Sequence, residues 1–191
     1  GGRIHHAMRT IAQCTMAFDM MCERALSRES HGKIISEHQM VQEKIAESYA
    51  KLRMLRLLVL ETAWKIDQSS AQDCRTDIAV VKFTMSRVLR EISFDSLQIH
   101  GSLGTTDLTP LQEMYAAAPT MGLADGADEV HKVTVARRVL RDYEPHEGNF
   151  PREFLPYKKE EAWKKMQPIF EVNPELAESA ERWKAYLEKR R

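Results

Sequence analysis

The stretch QIHGSLGTTDLTPLQEMYAAAPTMGLADGADEVHK, Gln98 to Lys132, lies between two segments with the periodicity of long helices. Gly101 follows His100, and Asp125 immediately precedes Gly126. Such chemistry suits an ordinary turn-rich connection or a backbone laid close to a ligand. The flanking segments decide where it sits.

Before it, Ile4, Met8, Ile11, Thr15, Phe18, Cys22 and Ala25 recur in steps of three and four. This predicts one amphipathic helix ending near SRESHGK, where Ser30, His31 and Gly32 supply turn and C-cap chemistry. A second helix is predicted from about Glu37 to Asp67, with Val41, Ile45, Leu52, Leu55, Val59 and Ile66 on one stripe. Leu57, Leu58, Leu60 and Trp64 make its second half apolar on most sides, so it should pack against several neighbours, in its own chain or a partner. Cys74, Ile78, Val81, Met85, Val88 and Ile92 mark a third helix, and Val130, Val133, Ala136 and Leu140 a fourth. No segment alternates over a strand's length and no Asn-Gly hairpin turn occurs. The fold class expected is all-α: a four-helix up-down bundle over residues 1–142. Residues 143–191 form a proline-containing connector and a helical extension. Its first helix should stop at Pro168. Its second should have Asn173 as N-cap, Pro174 at the first helical position, and a face of Leu176, Ala180, Trp183 and Leu187 that needs a docking partner.

The chain has 191 residues, 43% apolar and 29% charged, which is enough apolar material for a core. Basic and acidic residues balance at 28 each, so no global field draws the chain to nucleic acid or an anionic membrane. MLRLLVLETAW is too short and too charged to span a bilayer. Cys14, Cys22 and Cys74 have no CxxC spacing and read as buried free thiols of a reducing compartment, with cytoplasm and mitochondrion both admitted. GGRIHHAMRT has no apolar leader, and EKRR is no Ser-Lys-Leu address. Adjacent His5 and His6 cannot share a metal as an i, i+4 pair would, and no metal site is expected. Met16, Met20, Met21, Met54 and Met85 read as core filling.

The order of RESHGK, EHQ, AWKID, QIHGSLG and ADGADEVHK resembles the C-terminal helical domain of the flavin-dependent acyl-CoA dehydrogenases. It looks closest to the branch reading Ala-Asp-Gly where most members read Tyr-Glu-Gly. The similarity covers about residues 1–142. Complete members are roughly twice as long, so the resemblance implies the third domain alone, with the N-terminal helical and middle β-domains absent and the isolated fragment inactive.

The resemblance implies FAD as cofactor, an acyl-CoA substrate, self-association to a dimer or tetramer, and an electron-accepting flavoprotein as partner. Asp125 takes the place of the base that removes the α-proton of the thioester while the β-hydride goes to flavin N5. Its competing reading is a cap for a helix starting near Asp128. Arg28 takes the place of an arginine that meets the cofactor's diphosphate across a subunit boundary, against a solvated residue at a helix C-terminus. His31 stands where the family has Phe near the adenine. Gln98, Gly101, Ser102 and Gly104 match the segment whose amides approach the ADP half in a neighbouring subunit, against a plain helix C-cap. Gly126 joins this cofactor-binding set beside the base. Ser102 replaces a glycine, Ala127 replaces a threonine that helps hold the cofactor, and Ala116 to Pro119 replaces an Arg-Asp-Ala-Arg run. An alternative is a helical oligomerisation module that has kept the bundle and lost the chemistry.

Overall fold

The computed structural model describes residues 2–146 and 148–188. The chain divides into two compact units, Gly1–Asp142 and Tyr143–Arg191. In the first, α1 (Gly2–Ser27), α2 (Gln39–Gln68), α3 (Arg75–His100), α4 (Leu111–Leu123) and α5 (Asp128–Val139) form an up-down helical bundle.

Helix α3 is the central rod and packs against the other four helices. Val81, Met85, Val88, Leu89 and Ile92 are all at most 4% exposed. Against them lies the face of α1 carrying Ala7, Ile11, Cys14, Ala17, Met21 and Ala25. That face lies partly to one side of the predicted stripe: Met8 and Thr15 are exposed, whereas Ala7, Cys14 and Ala17 are buried. Small side chains over most of this face let the two rods approach closely, and of the methionines of α1 Met21 joins the contact while Met8 and Met16 fall outside it. Met16 and Met54 are accordingly exposed, contrary to the expectation of core filling, while Met21 and Met85 are buried. Cys14 and Cys74 are buried and Cys22 half-buried, all with free thiols.

Helix α2 presents Ser48, Leu52, Leu55, Val59 and Thr62 inward. Its pairing with α3 is antiparallel: Lys44 reaches Asp95 at 2.7 Å, Lys51 reaches Glu91 at 3.1 Å and Lys65 reaches Asp77 at 3.0 Å. Such pairs fix register more than they stabilise. The outer face of α2 leaves Met54, Leu57, Leu60 and Trp64 exposed, so the all-round packing expected of this helix is absent within the described chain.

Three departures concern local chemistry. Glu29–Ser30 and Lys33–Ile34 pair as an antiparallel hairpin, β1 and β2, where a plain C-cap turn was expected. His31 and Gly32 hold the turn at φ of 53° and 77°, the two positive values a two-residue turn of this twist requires. The stretch read as a connection contains α4, whose Leu111, Met114 and Ala118 are buried at helical spacing despite Pro119. In the second unit, α6 (Leu155–Val172) runs through Pro168, the released carbonyl belonging to exposed Lys164. Asn173 stands at the N-cap position of the following 3₁₀ turn with Pro174 first in it, as expected, but its side chain makes no capping bond; its amide donates back to the Ile169 carbonyl at 2.7 Å and closes α6. After a 3₁₀ turn at Pro174–Leu176 comes α7 (Ala177–Glu188), with Lys159 over the Tyr186 ring at 4.6 Å.

Past α3 the chain tightens into a 3₁₀ turn, Gly101–Thr105. Gly104 is buried there, and a Cβ on it would strike the Leu97 carbonyl and lie 3.1 Å from the His100 Cβ. Backbone cannot yield as a flexible side chain does. Gly104→Ala is expected to cost about 1–3 kcal/mol by forcing the turn off α3. Urea denaturation checks this, and an unchanged midpoint would mean the turn relaxes freely.

Candidate functional site

The site is built on the turn between α4 and α5. Lys82 on α3 is completely buried, yet its ammonium carries a positive charge that must be met. It donates to the Met121 carbonyl at 2.7 Å and to Asp128 Oδ1 at 3.0 Å. Ser86, one helical turn on, donates to Asp128 Oδ2 at 2.6 Å. Asp128 therefore has both oxygens bonded, and it sits in the first turn of α5, where a negative charge suits the helix dipole. The end of α4 and the start of α5 are thereby pinned to one point of the central helix.

Residues 124–127 must close the gap between those two pins. Asp125 does so at φ 59° and Gly126 at φ 104°. The positive φ at Asp125 is strained for a side-chain-bearing residue, though less so for aspartate than for most. Its carbonyl accepts from Arg3 Nε at 3.2 Å and from His131 Nε2 at 3.4 Å. The oxygen can only accept, so that nitrogen of His131 bears the proton. A Cβ at Gly126 would sit 3.1 Å from the same imidazole nitrogen. Gly126 thus serves both the turn and the seat of His131.

Asp125 does not cap α5. The N-cap position is Ala127, with no side-chain bond, and the Asp125 carboxylate instead lies beside His6, Oδ2 to Nε2 3.3 Å. Its side chain is 44% exposed. It borders a cavity of about 800 Å³ with Arg3, Gln72, Arg75, His131 and Thr134. A half-exposed carboxylate on a braced, strained turn, at the edge of a cavity also lined by Arg3 and Arg75, has the chemistry of a proton acceptor.

The other expected residues gather at the opposite end of the bundle. Arg28 is exposed at the end of α1, and its carbonyl accepts from Ile35 at 2.8 Å, which ties it to the hairpin. His31 and Gln98 share a cavity of about 920 Å³ with Lys33, Glu37 and His38. Gly101 ends α3 at φ 65°, exposed and with open space where a Cβ would project, and Ser102 beside it is exposed too. The Gly101 N–H donates to the Gln98 carbonyl, so what this corner offers is open backbone surface with no side chain in the way. Gly104 differs, being buried against Leu97. From Ala79, at the Asp125 cavity, to Gly101 the central helix spans roughly 35 Å at 1.5 Å per residue. Within one chain Asp125 and the Gly101 corner do not share a cleft.

Sequence reasoning missed Lys82, Asp128, Arg3 and His131, and gave His6 no role beyond an exposed or capping one. Arg3 and Asp125 are 122 positions apart, so no local spacing links them. Only Lys82 left a trace, as a lysine falling among the apolar positions of α3.

Residues 1–140 match the family model for the acyl-CoA dehydrogenase C-terminal domain. The chain belongs to that family. Acyl-CoA dehydrogenase family member 11 of Rattus norvegicus is 38% identical over 141 residues, covering 74% of this chain and 18% of the relative. The Mycobacterium tuberculosis protein "Probable acyl-CoA dehydrogenase FadE2" is 36% identical over 139 residues, covering 73% of this chain and 34% of the relative. The solved structure of an acyl-CoA dehydrogenase-like protein from Mycobacterium abscessus superposes with a TM-score of 0.73 at 34% identity, over 75% of this chain and 35% of that one. The chain thus spans between a fifth and about a third of the length of these relatives.

Two outcomes test the braced turn. Lys82→Met leaves the Asp128 carboxylate and the Met121 carbonyl buried without their cation, and is expected to cost about 3–5 kcal/mol in urea denaturation; a loss below about 1 kcal/mol would contradict the pin. The second concerns pH. Burial pushes the His131 imidazole below its ordinary 6.5; the bond to the Asp125 carbonyl partly offsets this, and the charges of Arg3 and Lys82 add to it. The unfolded chain then takes up the proton first, so the stability present above pH 6.5 is lost as pH falls through that value towards the lower folded one. The urea midpoint should drop between about pH 7 and about pH 5.5, with a smaller drop in His131→Asn.

Proposed function

We propose that this chain is the C-terminal domain of an FAD-dependent acyl-CoA dehydrogenase, with Asp125 as the base. The observation that carries the reading is the Asp125 carboxylate, held by a braced left-handed turn at the edge of a cavity lined by Arg3 and Arg75. Asp125 takes the proton from the carbon next to the thioester carbonyl, and the electrons of that C–H bond form the new double bond. FAD, when bound, supplies the acceptor for the hydride that leaves the β-carbon. Aspartate is one methylene shorter than glutamate, so the α-carbon must lie closer to the turn.

Arg28, His31, Gln98, Gly101 and Ser102 would hold the nucleotide half of a cofactor whose flavin serves a neighbouring subunit's base. The roughly 35 Å along α3 from Ala79 to Gly101 supports this division between subunits. Gly104 and Gly126 contribute by shaping the backbone. Self-association through the exposed Met54, Leu57, Leu60 and Trp64 of α2 fits the same reading. An electron-transferring flavoprotein is the partner that would reoxidise the flavin.

Asp125→Asn in the full-length parent should lower turnover of acyl-CoA about a hundred- to ten-thousandfold while the flavin absorbance is retained. Retained turnover would remove Asp125 from the chemistry. These 191 residues by themselves should not turn over acyl-CoA at all.

A further inference from the structure

On the reading that Asp125 is the base, we propose that His6 is its positioning residue, holding Oδ2 so that Oδ1 is the atom that receives the proton. The contacts on Asp125 divide cleanly. Arg3 and His131 bond only its main-chain carbonyl and so fix the turn. The carboxylate has one partner among the described residues, His6, at 3.3 Å from Oδ2. A Cβ placed on Gly2 would lie 3.6 Å from the same oxygen, so Oδ2 is the oxygen turned towards the start of α1. Oδ1 has no hydrogen bond among the described residues and is left for a ligand.

His6 is suited to the task by its anchorage. It stands in the first turns of α1, half-buried, next to buried Ala7 and one turn before buried Thr10, whose hydroxyl donates to the His6 carbonyl at 3.0 Å. Its neighbour His5 is exposed and makes no such contact. A 44% exposed aspartate would otherwise sample several rotamers. The 3.3 Å approach is a charge contact and not yet a well-aligned hydrogen bond, and catalytic contacts of this kind tighten when a reacting molecule closes over them. The charged or titratable groups around the pair are Arg3 on α1, Arg75 at the start of α3 and His131 on α5, with Lys82 and Asp128 behind the turn. In the step itself the α-C–H bond breaks and its proton passes to Oδ1. The bond pair becomes the double bond, and FAD, when bound, would take up the hydride that leaves the β-carbon. His6 neither gains nor loses a proton.

The test has two parts. In the full-length parent, His6→Ala should lower kcat about ten- to hundredfold, as a misplacement of about 1 Å does. KM for acyl-CoA should stay within about threefold, and the deuterium isotope effect at the α-carbon should rise. His6→Gln, whose amide nitrogen reaches about as far as Nε2, should restore most of the rate. Independently of activity, the imidazole ¹⁵N resonances of His6 in the 191-residue chain should move on Asp125→Asn while those of His5 do not. A His6→Ala parent with wild-type kcat and isotope effect, beside an inactive Asp125→Asn, would overturn the positioning role and leave the base in place. Resonances of His6 indifferent to Asp125→Asn would overturn it as well. An active Asp125→Asn would instead overturn the reading of Asp125 on which the proposal rests.

Discussion

A single buried ammonium organises the functional end of this domain. Lys82 has no access to water, so its charge must be met inside the bundle. Two groups meet it, the last turn of α4 through the Met121 carbonyl and the first turn of α5 through Asp128. A buried pair of this kind adds little net stability over an apolar packing, because desolvation offsets most of the attraction. What it contributes is register. With both helices fixed to one point on α3, the four residues between them have few ways to close, and the way observed turns Asp125 outward at positive φ. Strain at Asp125 is thus sustained by a contact two helices share, which is how a strained residue persists.

The same rods explain why the chain carries two separate surfaces. Small residues on α1 draw it along the length of α3, and the ion pairs of Lys44, Lys51 and Lys65 align α2 antiparallel to both. Every functional loop is then confined to one end or the other. Asp125, His6, Arg3 and His131 lie at one end, and the hairpin, Gln98 and the Gly101 corner at the other. A stiff bundle cannot bend these ends together. On the function proposed above, what joins their chemistry is a second chain, and the exposed Leu57 and Trp64 of α2 offer an apolar face for it.

Much of this was legible in the sequence. The long helices announce themselves through apolar steps of three and four, since burial on one face is what makes them stable. Helix α4 lay hidden within a stretch whose glycines suit a connection, although Leu111, Met114 and Ala118 keep helical spacing. Pro168 misled differently: a proline whose neighbouring carbonyl can reach solvent does not end a helix. At the site, the ADG turn was visible as a motif, and its glycine as a positive-φ position. The partners of Asp125 were not visible, because His6 and Arg3 reach it from the far end of the chain through packing alone. Gly104 shows the opposite case, a glycine matching a cofactor segment whose immediate structural demand is contact with Leu97.

The most direct measurement is a crystal structure of the assembled parent protein with FAD and a non-reacting acyl-CoA analogue. The account predicts the Asp125 carboxylate within about 3–3.5 Å of the carbon next to the thioester, the turn still at positive φ, and the Gly101 corner against a cofactor shared with another subunit. A thioester lodged elsewhere, with Asp125 facing open solvent, would contradict it.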